Sequence, residues 1–146
     1  MAATIRPLAA ADHAEWRELW RLYLEFYETT REDAVYAQTW ARMMTVGEDP
    51  SGFCAVDGDG RLIGIVHYIF HRSCWTLGDY CYLQDLYVSE AARGTGAGRA
   101  LIEAVYAAAE AHGDASVYWL TQDFNATARQ LYDRIANVTP FIKYVR

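Results

Sequence analysis

No apolar run in this chain approaches the ~20 residues that a helix needs to cross a bilayer. No Cys-x-x-Cys pair occurs either. Cys54, Cys74 and Cys81 are odd in number and widely spaced, against both a disulfide framework and a cysteine-held zinc site. They are expected to be small buried hydrophobes. Proline is scarce, at three residues, and there is no low-complexity run, so a disordered chain is excluded. Positive charge is in deficit, 13 Lys and Arg against 19 Asp and Glu, for a net charge of −6. With a pI near 5.1, that is the reverse of the basic face a duplex-binding protein carries. The opening Met1-Ala2-Ala3-Thr4-Ile5-Arg6-Pro7 has no apolar run of a signal peptide. The expectation is a cytoplasmic protein with no nucleic-acid and no membrane partner. His13, His67, His71 and His112 show no pairing that demands a metal, so none is expected.

What is present is globular: 146 residues, 53% apolar and 22% charged, read as a single domain over 1–146. Thr4 to Leu8 reads as a short strand. From Asp12 to Thr29, Trp16, Leu19, Trp20, Tyr23, Phe26 and Tyr27 recur at three- and four-residue spacings, one face of a helix with Asp12 as its N-cap. A second helix is expected over Ala34 to Thr45, with Tyr36, Trp40, Met43 and Met44 inward, stopped by Gly47-Glu48-Asp49-Pro50. Phe53 to Asp57 and Arg61 to Phe70 flank Gly58-Asp59-Gly60 as a β-hairpin, and Tyr80 to Val88 is a further strand. A helix with Leu101, Ile102, Val105 and Ala108 inward ends at His112-Gly113. Ser116 to Leu120 reads as a strand, Ala126 to Ile135 as a helix, and Phe141 to Val145 as a closing strand. Hairpin strands followed by β-α-β-α imply an α/β fold with a mixed sheet.

Function enters at the loop Arg93-Gly94-Thr95-Gly96-Ala97-Gly98-Arg99, between a strand and a helix. Glycines let the backbone turn sharply and approach a ligand, and the helix that follows aims its free N–H groups at the loop. That is an anion site suited to phosphate or pyrophosphate. A P-loop would need a Lys after the glycines, and none is there. A dinucleotide fingerprint would need glycine at 99, which is Arg, and an acid ending the next strand, whereas Asp114 precedes that strand.

Arg93-x-x-Gly96-x-Gly98, after Leu86-Tyr87-Val88 and before Arg99-Ala100-Leu101-Ile102, resembles the acetyl-CoA signature [Q/R]-x-x-G-x-[G/A] of the GNAT N-acetyltransferases. Asn125, Ala128, Leu131 and Tyr132 resemble that family's later N-x-x-A-x-x-[LF]-Y segment, at the expected distance. Trp16-Arg17-x-Leu19-Trp20-x-x-Tyr23-x-x-Phe26-Tyr27, Asp85-Leu86-Tyr87-Val88 and Val117-Tyr118-Trp119 are similar to fungal and bacterial members acting on polyamines, basic protein tails or D-amino acids. The resemblance implies a mixed, mostly antiparallel sheet flanked by helices, with a strand pair splayed at the CoA site. It implies pyrophosphate binding by Arg93, Gly94, Gly96, Gly98 and Arg99, pantetheine pairing by Leu86 and Val88, and a CoA contact from Asn125. Its activity would be transfer of acetyl from acetyl-CoA, as cosubstrate, to a small amine or a lysine-containing substrate in a ternary complex. A homodimer is implied as well. The alternative is a module that holds acyl-CoA without turnover.

The chemistry needs a neutral amine. Deprotonating a lysine-type ammonium at neutral pH costs about 4–5 kcal/mol unless a carboxylate takes the proton. Some relatives carry glutamate where this chain has Gln84, which leaves Asp85 as the nearest carboxylate, for base or amine anchor. A structural ion pair is the competing role for Asp85, since alternation along a strand can turn it away. Tyr132 is the candidate acid for the departing thiolate, against a plain core tyrosine. Tyr27, near the end of the first helix, is the candidate to line the acceptor site. Glu25, Glu28, Glu32 and Asp33 offer either attraction for a cation or a solvated face.

Overall fold

The computed structural model describes residues 2–146. Strand β1 (Thr4–Pro7) leads through a single 3₁₀ turn into α1 (His13–Phe26) and α2 (Asp33–Met43). Then come β2 (Ser51–Val56), β3 (Leu62–Arg72), β4 (Asp79–Val88), α3 (Ala97–Ala111), β5 (Ser116–Tyr118) and α4 (Ala126–Ile135). The sheet runs in the order β1-β2-β3-β4-β5. Its first three pairings are antiparallel and β4–β5 is parallel, the mixed sheet the sequence predicts.

β3 lies at the centre, and Ile65, Val66 and His67 along it are almost wholly buried because helices cover both faces. On one face Leu101, Ile102, Val105 and Ala109 of α3 pack on Ala55, Val66, Cys81 and Leu83, with Leu131, Tyr132 and Ile135 of α4 at the margin. On the other, Trp16, Leu19, Trp20 and Leu24 of α1 and Tyr36 of α2 pack on Cys54, Leu62 and Ile65. Trp16 alone stacks or tilts against His13, Trp20 and Trp40. Full burial of each such aliphatic side chain contributes roughly 1.5–3 kcal/mol, so these two clusters fix where the helices lie.

Four expectations are corrected. Phe141 to Val145 forms no strand: β5 is the sheet edge, the tail has no ladder partner, and Phe141, Ile142, Tyr144 and Val145 stand exposed. Phe26 is 54% exposed, and Leu24 takes its place on the inner face. Asp12 precedes α1 but its side chain caps none of that helix's amides. It is buried and takes two hydrogen bonds from Arg6 and one from the Ala9 N–H, tying β1 to the start of α1. Cys54 and Cys81 are buried as expected, but Cys74 lies exposed in the β3–β4 connection. No helix among the described residues is long and apolar enough to cross a membrane.

Candidate active site

The loop after β4 has the backbone its glycines predict. Gly94 and Gly96 have φ of +81° and +87°, where a side chain is strained, and Gly96 stands at the N-cap of α3. Among the described residues, the amides of 94–99 find no protein acceptor; the first helical bond is Ala100 N–H to the Gly96 carbonyl. Six consecutive free N–H groups at the positive end of a 15-residue helix are an arrangement that favours an anion. The two arginines are engaged elsewhere in this state. Arg93 Nε donates to the Val88 carbonyl at 3.2 Å, and Arg99 Nε to Glu103 at 2.9 Å. Both side chains are exposed and held only by weak surface partners.

Beside this loop, β4 and β5 part. They pair only from Tyr80 to Tyr82, opposite Ser116 to Tyr118, and β4 runs on to Val88 with that edge unpaired. The Ser89 N–H bonds the Ile63 carbonyl on β3, so by alternation the N–H and C=O of Leu86 and Val88 face the gap. An extended amide-bearing arm could add there as a strand. Gly98 stands where α3, β4 and α4 converge: a Cβ built on it would lie 3.7 Å from Val88 and 3.9 Å from Leu131. That is ordinary contact, which explains why alanine also suits this position in the motif.

Asp85 reaches the site because β4 carries a bulge. In the β3–β4 register His67 faces Asp85 and Tyr68 faces Leu83, so Gln84 is the extra residue. The bulge reverses the parity of the strand. Leu83, Leu86 and Val88 all lie on the α3 side, while Asp85 and Tyr87 turn toward α1. There Asp85 Oδ2 lies 2.8 Å from His67 Nδ1. The Tyr23 phenol also stands close enough to hydrogen-bond this carboxylate.

Tyrosines surround this carboxylate. Burial, then the Asp85 charge, holds the phenols of Tyr23, Tyr27 and Tyr82 above their usual range. The Tyr23 hydroxyl also approaches the Gln84 carbonyl at 3.5 Å. Tyr132, half-buried on α4 and edge-on to Trp119 at 5.3 Å, is pushed up to about 12 by burial and then by Tyr27. Its hydroxyl has no hydrogen-bond partner among the described residues, yet is not sealed off. Asn125 stands at the N-cap of α4, with its amide a loose 3.4 Å from the Thr121 hydroxyl. A surface hollow of about 390 Å³, lined by Arg72, Ser73, Thr76 and Asp79, lies at the β3–β4 turn and is no part of this groove.

Residues 15–136 match the model of the acetyltransferase (GNAT) family. The chain belongs to that family. It is an N-acetyltransferase, 36% identical over 143 residues to the D-amino-acid N-acetyltransferase HPA3 of Saccharomyces cerevisiae, covering 97% of this chain and 89% of the yeast protein. Among solved structures, the ribosomal-protein-alanine N-acetyltransferase of Brucella melitensis biovar Abortus 2308 superposes with a TM-score of 0.81 at 24% identity, over 100% and 99% of the two chains. AAC(6')-Iy, solved with a CoA-containing bisubstrate analogue, gives a TM-score of 0.83 at 18% identity over 100% and 98%. These two likenesses speak for the fold: a GNAT sheet flanked by helices.

The structure brings Asp85, Tyr27 and Tyr132 to one end of the splayed strand and the glycine loop to the other. Sequence reasoning passed over His67, Trp16, Tyr23 and Tyr82. A signal for His67 was available: one titratable ring inside the apolar run Leu62 to Phe70 must find polar partners when buried.

Proposed function

We propose that this enzyme transfers the acetyl group of acetyl-CoA to a primary amine by direct attack in a ternary complex. One observation carries the reading: Asp85, a carboxylate that His67 holds through one oxygen, sits one residue from Leu86 on the strand whose open edge faces the gap. In this account the amides of Gly94, Gly96 and Gly98, with Arg93 and Arg99, take the pyrophosphate, and Leu86 and Val88 pair with the pantetheine arm. Asn125 contacts CoA near that arm's far end.

Asp85 accepts a proton from the acceptor ammonium, directly or through water, and Tyr27 lines the acceptor's path. The freed nitrogen lone pair attacks the thioester carbonyl carbon, and a backbone N–H of the splayed strand steadies the developing oxyanion. Collapse breaks the C–S bond and leaves the electron pair on sulfur. Tyr132 donates a hydrogen bond to that thiolate. With its phenol pushed up to about 12, full proton transfer to a thiolate is uphill, so donation without transfer is the role that fits. The second proton of the attacking nitrogen leaves the tetrahedral intermediate and ends on the thiolate, so the products are an amide, the CoA thiol and the one proton that Asp85 releases.

The acidic balance of the chain, and phenols around a carboxylate, favour an amine that arrives as a cation. D-Amino acids, named for the yeast relative, join polyamines and lysine-containing peptides as candidate acceptors. The same reading makes the protein a single-domain, cytoplasmic enzyme. Its exposed apolar tail, Phe141 to Val145, supports a homodimer in which a second copy covers it. The test is a screen of acetyl-CoA turnover, reading free thiol and acetylated product by mass, against these amines. Amine-dependent thiol release is expected; CoA binding with no acetylated product from any amine would overturn the proposal.

A further inference from the structure

His67 is 1% exposed on the central strand and joins α1 to β4 through both ring nitrogens. Trp16 Nε1 lies 2.8 Å from His67 Nε2, and Nδ1 lies 2.8 Å from Asp85 Oδ2. An indole nitrogen only donates, so Nε2 must carry a lone pair and the ring's one proton must sit on Nδ1, facing the carboxylate. We propose that Trp16 locks His67 in this neutral tautomer, so that His67 orients Asp85 through one oxygen yet leaves it an uncompensated anion. This inference rests on the reading of Asp85 as the group that takes the amine proton. Trp16 and His67 are then positioning residues for that base.

The tautomer matters because of what it prevents. A second proton on Nε2 would face the indole N–H, so the imidazolium form loses its hydrogen bond from α1. Were that form allowed, an imidazolium–carboxylate pair would favour ionised Asp85 and make it a weaker proton acceptor. A neutral donor fixes the direction of the carboxylate through Oδ2 without neutralising it, and leaves Oδ1 to other donors, the Tyr23 phenol among them. An acceptor ammonium would supply the compensating charge.

The surroundings add no rival charge. α1 contributes Tyr23 and Tyr27, and β4 contributes Tyr82, all phenols that burial and then the Asp85 charge hold above their usual range. Trp20 of α1 packs edge-on to His67 at 5.6 Å, and Tyr36 of α2 covers Trp20 at 5.1 Å. On β2 the residue opposite His67 is Gly52. Among the described residues no lysine or arginine pairs with Asp85.

The test combines a spectrum with a pH–rate profile. In ¹⁵N-histidine-labelled wild type at neutral pH, His67 should show a protonated Nδ1 and an unprotonated Nε2. The opposite tautomer, or an imidazolium, overturns the inference without any mutant. In Trp16→Phe the Nδ1–H tautomer should no longer be fixed, kcat/KM for a cationic amine should fall roughly tenfold, and the pH–rate profile should differ from wild type. His67→Asn, whose amide N–H can replace Nδ1–H, should recover most of the activity that His67→Leu loses. This pair decides the matter if Trp16→Phe fails to fold. Asp85→Asn is measured alongside. If it loses the limb while Trp16→Phe and both His67 variants keep wild-type profiles, the positioning inference falls and the base reading stands. If Asp85→Asn itself keeps the wild-type profile, the base reading fails and the inference with it.

Discussion

Tyr132 stands edge-on to Trp119, ring centroids 5.3 Å apart, and the contact holds its ring while leaving the hydroxyl without a protein partner. Tyr132→Phe keeps that packing and deletes the donor. The variant should lose about 10²-fold or more in kcat while binding CoA with nearly unchanged affinity. Unchanged kcat would return Tyr132 to a packing role.

The same phenol sets an expectation for alkaline pH. A tyrosine donates only while protonated, and burial raises this one to about 12, so its donor form persists well above neutrality. The kcat profile of the wild type should therefore show no Tyr132-dependent fall up to about pH 10. A limb near the ordinary phenol value that vanishes in Tyr132→Phe would contradict this.

Gly96→Asp places a negative charge in the cradle formed by the free amides of 94–99. The residue is at φ +87° with open space around its missing side chain, so strain of about 1 kcal/mol is the expected cost to stability. Calorimetry should find CoA binding abolished in a variant that still melts cooperatively. Equal binding by wild type and variant would dismiss the loop as the pyrophosphate site.

Arg6 holds Asp12 below the usual carboxylate range through paired hydrogen bonds at 2.7 and 2.9 Å, helped by the Ala9 N–H. A depressed carboxylate contributes stability above its unfolded pKa near 3.8, lost as pH falls through the lower folded value. Asp12→Ala should cost about 2 kcal/mol at neutral pH, allowing for the partial exposure of Arg6. The gap between variant and wild-type melting temperatures should close as pH drops below about 4. A gap that stays constant with pH would show that the ion pair does not carry the effect.

Light scattering at tens of micromolar should find a dimer, and removal of residues 141–146 should shift it toward monomer. Monomer alone in the intact chain would reject the homodimer.

Much of the fold was legible because its signals are local. The stripe Trp16, Leu19, Trp20 has helical period, Gly58-Asp59-Gly60 marks the hairpin, and the glycines at 94 and 96 adopt the positive φ only glycine takes easily. What escaped depends on long-range pairing. Phe141 to Val145 has strand composition, but no neighbouring strand receives it. The direction of Asp85 could not be read from alternation, because a bulge at Gln84 reverses parity and only the β3 register reveals it. His67 and Trp16 are 51 residues apart in sequence, and no local pattern links them.

The most direct test of the account is the pH dependence of kcat/KM for a cationic amine in Asp85→Asn, with melting temperature read on the same preparation. The substitution keeps shape and removes the charge that Oδ1 presents to the acceptor groove. A folded, CoA-binding variant that loses about 10²-fold in kcat/KM, together with the limb the carboxylate controls, is the predicted result. A profile superimposable on wild type would contradict the assignment of Asp85, and a lower melting temperature with kcat per folded molecule unchanged would make its pairing with His67 structural only.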